Sequence, residues 1–327
     1  MKILILGGTK FVGRHIVEKA LERGHEVTLF HRGQTGADLF PSVQHVFGDR
    51  DGGLDALGTD VAWDWVIDTS GYVPRIVRQA CEAVKGRTSQ YLFISTISVY
   101  ADFEQTGIDE NSELATVNDP ATETVDAETY GGLKVLCEHE VLTAFPEALI
   151  VRPGMIVGPY DHTDRYTYWF LRATKGGQML SLCERDEPAQ FIDGRDLANF
   201  CLHLLEMQST GIFNATGPQF PMTWGDIFDE GALSANSSYE IVRPPLNWLK
   251  EHGVESLPAQ VPMEDGKPGI YRIDVEKAVN AGLRFTPLGE TVRDTIAWRK
   301  SDETPLKVGP SAQQEAELIG EFVGAAS

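Results

Sequence analysis

Residues 1–33, MKILILGGTKFVGRHIVEKALERGHEVTLFHRG, decide how the rest of the chain is read. Lys2 to Leu6 (KILIL) is a short apolar run that reads as a strand buried on both faces. It passes directly into Gly7-Gly8-Thr9-Lys10-Phe11-Val12-Gly13. A helical pattern then runs from Arg14 to Arg23, with Ile16, Val17, Ala20 and Leu21 on one apolar face. Gly24 ends it as a C-cap residue, and Glu26 to Phe30 (EVTLF) is a second strand. Strand, glycine turn, helix and strand in this order form the mononucleotide half of a doubly wound sheet. Glycines in the turn let backbone approach a pyrophosphate, and the helix presents its positive N-terminal end to it. Gly7 and Gly13 fit the expected spacing, but Lys10 stands where a middle glycine would be. Lys10 either extends over the phosphates as a counter-charge or lies in solvent.

Working outward, the strands continue at Val43 to Phe47 (ending in Gly48-Asp49), Trp65 to Asp68, Tyr91 to Ser95 and Ala148 to Arg152. Helical patterns cover Pro74 to Lys85, Tyr130 to Ala144 and residues 195–206, and Gly211 to Ala215 reads as a late strand of the main sheet. The alternation predicts an α/β fold, a doubly wound parallel sheet of the Rossmann type with a smaller C-terminal substrate lobe. Residues 1–160 plus about 190–217 form the dinucleotide-binding domain, and about 161–189 and 218–300 form the lobe. The remainder, 301–327, is a tail in which Ser311 and Gln314 fit the capping box of a last helix. Residues 101–128 are polar and acidic and read as a surface excursion, of a length that often covers an active site.

The 327 residues are 42% hydrophobic and 23% charged, the composition of a soluble globular protein. A net charge of −20 repels nucleic-acid phosphates and anionic membrane, so the expected partner is a small-molecule substrate, with no nucleic acid and no membrane. No segment approaches the length of a membrane span and no signal peptide is recognisable, so a cytoplasmic location is expected. Cys81, Cys137, Cys183 and Cys201 have no metal or redox spacing and are expected to be buried thiols. Asp161, His162 and Asp164 lie close together, but one histidine among loop carboxylates is a poor metal signal, and no metal is expected. Tyr166, Tyr168 and Trp169 either line a substrate pocket or wedge the lobe against the sheet.

Nucleotides bind outside the carboxyl ends of parallel strands. The fifth strand delivers Ser95-Thr96-Ile97-Ser98-Val99-Tyr100, and Tyr130-Gly131-Gly132-Leu133-Lys134 follows. On a helix Tyr130 and Lys134 are one turn apart on one face. An ammonium beside a phenol would lower the phenol's pKa and let it exchange protons nearer neutrality. Thr96 would hold a substrate oxygen. The spacing Tyr-x-x-x-Lys is weak evidence alone and gains force from its place after the glycine turn and the hydroxyl pair.

These segments resemble the extended short-chain dehydrogenase/reductase family, which includes the NAD-dependent epimerases and dehydratases. The resemblance covers residues 1–217 and rests on GGTKFVG (7–13), GD (48–49), STISVY (95–100), YGGLK (130–134), RPGMIVGP (152–159) and FIDGRDLA (191–198). It implies Tyr130 as acid/base, Lys134 as ribose ligand and partner of the tyrosine, and Thr96 as the residue binding the reacting oxygen. It places Asp49 at the adenine, Thr69, Ser70 and Gly71 along the cofactor, and the backbone after Pro153 at the nicotinamide amide. Gly7, Thr9, Lys10, Phe11, Val12, Gly13 and Ser95 complete the expected cofactor contacts. The implied activity is an NAD(P)-dependent oxidoreductase moving hydride between nicotinamide and a carbonyl or carbinol carbon. The alternatives are an epimerase or dehydratase acting on a sugar or sugar nucleotide, and a non-enzymatic dinucleotide-sensing or RNA-binding relative. Sugar-nucleotide members usually carry asparagine where this chain has Met155 and arginine where it has Ala189; Arg165, Arg185 and Arg243 are possible substitutes or surface residues. At the end of the second strand an acidic residue would bind the ribose 2′-hydroxyl of NAD. The chain has His31-Arg32 there, and Arg32 suits a 2′-phosphate, so NADP is expected, with NAD as the alternative. Dimers through a two-helix face are frequent in that family, so a homodimer is the assembly the resemblance implies.

Overall fold

The structure is a computed structural model, and it describes residues 1–302 and 304–325. In chain order the elements are β1 (Lys2–Leu6), α1 (Phe11–Glu22), β2 (Glu26–His31), β3 (Gln44–Phe47), β4 (Trp63–Asp68), α2 (Pro74–Val84) and β5 (Thr88–Ile94). They continue with α3 (Tyr130–Ala144), β6 (Leu149–Pro153), β7 (Ile156–Val157), α4 (Thr167–Thr174), β8 (Gly177–Leu180), β9 (Pro188–Asp193), α5 (Gly194–Glu206) and β10 (Gly211–Ala215). The last are β11 (Gly217–Thr223), α6 (Trp224–Leu233), β12 (Tyr239–Val242), α7 (Leu246–Glu251), α8 (Glu276–Asn280), α9 (Leu288–Lys300) and α10 (Ala312–Ala325).

Seven parallel strands form one sheet in the order β3-β2-β1-β4-β5-β6-β10. The period of two along β1 explains why its run is apolar throughout. Ile3 and Ile5 point into the layer shared with Ile16, Val17 and Ala20 of α1 and Leu197 and Cys201 of α5. Leu4 and Leu6 point into the opposite layer, with Val77 and Cys81 of α2 and Cys137 and Val141 of α3. With helices on both faces, each residue from Ile3 to Leu6 is fully buried. The strand order turns back between β1 and β4, and the carboxyl ends there carry the glycine turn and Thr69 to Gly71.

The lobe has its own aromatic core. Tyr166 stacks on Trp224 at 5.4 Å, and Trp169 and Phe228 pack around them. Tyr166, Tyr168 and Trp169 are therefore buried inside the lobe, and Tyr168 also lines a small cavity of about 270 Å³ with Arg172 and Leu306. Strand β9 lies in a second sheet with β7 and β11, and β8 pairs with β12. Two stretches depart from the expected boundaries. Ala278 of α8 and Leu283 pack into the main-sheet core although they fall within 218–300. Helix α10 belongs to the lobe, with Leu318 and Ile319 in its core and Glu315 paired with Arg172 of α4. Ser311 accepts a hydrogen bond from the Gln314 amide, as the capping-box spacing implies.

Among the described residues, 101–128 form no helix or strand beyond single bridges at Ile108 and Leu114. The excursion is anchored: Phe103 carbonyl accepts from the Gly269 amide, Ile108 carbonyl from the Asp274 amide, and Glu123 pairs with Arg75. All four cysteines are buried free thiols. No helix among the described residues is long and apolar enough to cross a membrane.

Candidate active site

The opening turn has the shape a pyrophosphate cradle requires. Gly7 has φ +108°, and a Cβ there would lie 2.4 Å from Thr69 Oγ1. A Cβ on Gly13 would lie 2.8 Å from the Gly8 backbone, so α1 can approach β1 only with glycine at that position. Lys10 has φ −137°, ordinary extended backbone, which explains how a side chain replaces the expected middle glycine. It is exposed, and α1 begins at the next residue, three positions earlier than the apolar periodicity implied. The first turn of α1 has no acidic residue and no side-chain cap, and with the Gly13 amide bonded to the Lys10 carbonyl the Phe11 and Val12 amides are left for an anion. The residues present thus fit a nicotinamide dinucleotide lying across the strand ends.

The other expected contacts surround this turn unevenly. Thr69 and Ser70 hydroxyls both donate to the Leu6 carbonyl, at 2.9 and 3.2 Å, fixing the floor beneath the glycines. Asp49 is exposed beyond β3, with Oδ1 accepting from the Asp51 amide. Phe11 is buried against His15 and His162, while Thr9 and Val12 are half-buried. Pro153 ends β6 and pairs with Ala215. Arg32 is exposed and makes no hydrogen bond or ion pair among the described residues. Ser95 turns its side chain away from this turn. Its hydroxyl is buried and donates to Glu138, because that carboxylate lies behind β5 and also receives Arg152 Nε and Nη2, at 3.0 and 2.7 Å.

Tyr130 is the first residue of α3 and is half-buried. Its neighbour Gly131 allows this placement, since a Cβ there would lie 2.2 Å from the Ser98 carbonyl just after β5. Thr96 caps the short helix Ile97–Val99, with its Oγ1 accepting from the Ser98 amide. Burial raises the Tyr130 pKa, the adjacent Tyr72 adds to the rise, and hydrogen bonding from Thr96 and the charge of Arg165 pull it back. The expected lowering by Lys134 does not occur. The Lys134 side chain turns inward, and its Nζ donates to the Gly71 and Ile94 carbonyls at 2.8 and 2.7 Å. Burial also pushes the Lys134 pKa down to about 8. An ammonium has three N–H donors, so one remains for a ligand.

Sequence reading missed the support beneath this site. Arg50, just past β3, makes a bidentate pair with the buried Asp68 at the end of β4, at 2.7 and 2.6 Å. It also donates to Ser70, and Tyr91 donates to Asp68. The group ties the strand ends on both sides of the glycine turn. Of the three candidate arginines, Arg185 and Arg243 pair with Asp229 and Glu184 on the lobe surface. Among the described residues Arg165 has only Thr163 as a side-chain partner, and its charge reaches Tyr130. Asp161 is turned to Thr163, and Asp164 accepts from the Lys307 amide and faces Arg299. Two cavities of about 750 and 810 Å³ flank β11, and neither is lined by Thr96, Tyr130 or Lys134.

A glycine cradle where the strand order reverses, with a hydroxyl and a Tyr/Lys pair at neighbouring strand ends, defines a dinucleotide-binding protein of the doubly wound class. The model of the NAD dependent epimerase/dehydratase family matches residues 3–216, and the chain belongs to that family. The UDP-glucuronic acid 4-epimerase from Bacillus cereus in complex with NAD superposes with a TM-score of 0.69 at 17% identity, covering 93% of this chain and 100% of that one. The Bordetella bronchiseptica enzyme WbmH in complex with NAD+ gives 0.68 at 18% identity, covering 93% and 99%. At such identities the likeness is one of fold. The chloroplast stem-loop binding protein of 41 kDa b from Arabidopsis thaliana is 28% identical over 241 residues, 67% of this chain. The chain spans 59% of that relative's length.

Proposed function

We propose that the chain is an NADP-dependent enzyme acting on a carbonyl or carbinol carbon of a small substrate, with Tyr130 moving the proton. The observation that carries this reading is the half-buried Tyr130 phenol beside Thr96, at the strand ends that also carry the glycine cradle. The nicotinamide, when bound, supplies the hydride chemistry. The glycine turn and the uncapped start of α1 would hold its pyrophosphate, and the third N–H of Lys134 would hold the adjoining ribose. Thr96 orients the substrate oxygen and steadies charge on it. A phenol whose pKa is raised by burial is protonated at neutral pH, so the resting site is set to give a proton to a carbonyl oxygen. Arg165 favours the phenolate that this leaves behind.

Net oxidoreduction is the favoured outcome. The family's description supports a second reading, in which the reducing equivalent returns to the same molecule, as in an epimerase or dehydratase. Met155 and Ala189, at the positions where sugar-nucleotide members usually carry asparagine and arginine, weigh against a nucleotide-sugar substrate. Incubation with added carbonyl compounds separates the two. Net consumption of NADPH supports the first, and product formed with cofactor unchanged supports the second. The name of the Arabidopsis relative raises RNA binding, which the net charge of −20 opposes. A salt-sensitive gel shift with a stem-loop RNA, together with no affinity for either dinucleotide, would overturn the proposal.

The preference for NADP rests on Arg32, free at the end of β2 where an acidic residue would select NAD. Arg32→Asp is expected to weaken NADP binding at least about tenfold, roughly 1.4 kcal/mol, while NAD binding holds or improves. Calorimetric titration of both forms reads the change.

A further inference from the structure

Arg32 is bracketed by two histidines that no part of the chemistry above uses. The Gly33 amide lies 3.2 Å from His31 Nδ1, and His31 Nε2 lies 2.8 Å from His45 Nδ1 on β3. His45 Nε2 in turn lies 3.3 Å from the Phe40 carbonyl, within the loop that joins β2 to β3. The donors and acceptors permit one assignment. An amide can only donate, so His31 Nδ1 accepts and its Nε2 carries the hydrogen. That hydrogen is donated to His45 Nδ1, which leaves His45 Nε2–H to donate to a carbonyl that can only accept. Both rings are therefore neutral, and the relay ties the loop to β2 at Gly33 and to β3 at Phe40.

We infer that His31 and His45 are positioning residues for dinucleotide selection: their neutral relay holds the backbone on either side of Arg32 so that its guanidinium faces a 2′-phosphate. The inference rests on the reading of Arg32 given above. A proton added to either ring sets N–H against N–H, at Gly33 for His31 or at His31 for His45, and one link of the relay opens. Little around the pair favours a charged ring. Phe47 of β3 covers it, with ring centroids 5.1 Å from His31 and 6.1 Å from His45. Thr28 and Gln44, bonded to each other, stand an odd number of residues from the histidines on β2 and β3 and so point to the other face of the sheet, and the bonds the rings make to the loop are to its backbone. No carboxylate among the described residues pairs with either histidine, and Arg32, itself a cation, follows His31 directly. Burial and the neighbouring His45 both lower the His31 pKa, in keeping with a relay that is neutral at physiological pH.

The test is calorimetric titration of the intact protein with NADP and with NAD between pH 7.5 and 5.5, in wild type, His45→Gln, His45→Phe and the double variant His31→Gln/His45→Gln. Glutamine can accept from His31 and donate to Phe40 but does not titrate. The preference for NADP over NAD at pH 7.5 is expected to survive in His45→Gln and to fall about fivefold in His45→Phe, the effect of losing roughly one hydrogen bond's ordering. On acidification wild type is expected to drop toward His45→Phe. The ligand's own phosphate, which titrates at about pH 6, weakens NADP binding in every variant alike, so His31→Gln/His45→Gln, with no imidazole left in the relay, gives the baseline. A His45→Phe protein with the wild-type preference, or a His31→Gln/His45→Gln protein that follows the wild-type pH course, overturns the inference. If His45→Phe does not fold, the comparison of wild type with His31→Gln/His45→Gln across pH decides alone. Wild type that binds both forms equally at pH 7.5 removes the reading of Arg32 and the inference with it, whereas an intact preference that ignores His45 removes the inference only.

Discussion

Tyr130→Phe is expected to lower turnover by about 10²–10⁴-fold, the range typical of a lost general acid, while NADP affinity stays within about twofold. The substitution removes one oxygen at the start of α3 and leaves the glycine turn, Lys134 and the Arg50–Asp68 pair untouched. Its effect therefore falls on kcat and kcat/KM together, as for an interaction made only in the transition state. The pH profile sharpens the comparison. Burial holds the wild-type phenol above its ordinary pKa, so carbonyl reduction is expected to persist through neutral pH and to fall on the alkaline side as the phenol loses its proton. Phenylalanine abolishes that alkaline limb. Steady-state rates with the true substrate and calorimetric titration with NADP measure the two halves of the expectation.

Glu138→Leu is expected to cost about 3–5 kcal/mol of folding stability, because it strands a buried cation. Arg152 is 1% exposed and Glu138 3%, and two of the guanidinium's nitrogens are bonded to the carboxylate. The same carboxylate receives Ser95 just after β5, so the pair joins β5, β6 and α3 beside the candidate site. The double variant Glu138→Leu with Arg152→Met removes both charges and is expected to recover most of the loss. Urea unfolding of the wild type and of the single and double variants gives the comparison. A single variant as stable as wild type would show that the pair is not holding these elements together.

The parts of the fold that sequence made legible are those set by short-range pattern. The alternation in β1 separates Ile3 and Ile5 from Leu4 and Leu6, and each pair enters a different helical layer. The glycines of the opening turn and the one-turn spacing of Tyr130 and Lys134 are likewise local, and their positions follow from backbone geometry. What remained hidden depends on which distant segments meet. Arg50 follows β3 and Asp68 ends β4, strands that are not neighbours in the sheet, so their pairing follows only from the complete strand order. Lys134 shares a helix face with Tyr130, but spacing cannot say how deep a side chain runs, and two carbonyls take its ammonium. Ser95 looks like a cleft hydroxyl until Glu138 is known to stand behind it. In the lobe, β8 pairs with β12 in parallel across the whole of β9, α5, β10, β11 and α6, a connection with no signature in either segment.

The proposed chemistry requires a nicotinamide dinucleotide at the strand ends, and titrating the purified protein with NADP at pH 7.5 tests that requirement without knowledge of the substrate. Saturable binding of one molecule per chain is expected, and its loss in Gly13→Val, where added side-chain atoms would meet the Gly8 backbone. Absence of binding by both NADP and NAD in the wild type, or equal binding by Gly13→Val, would contradict the account.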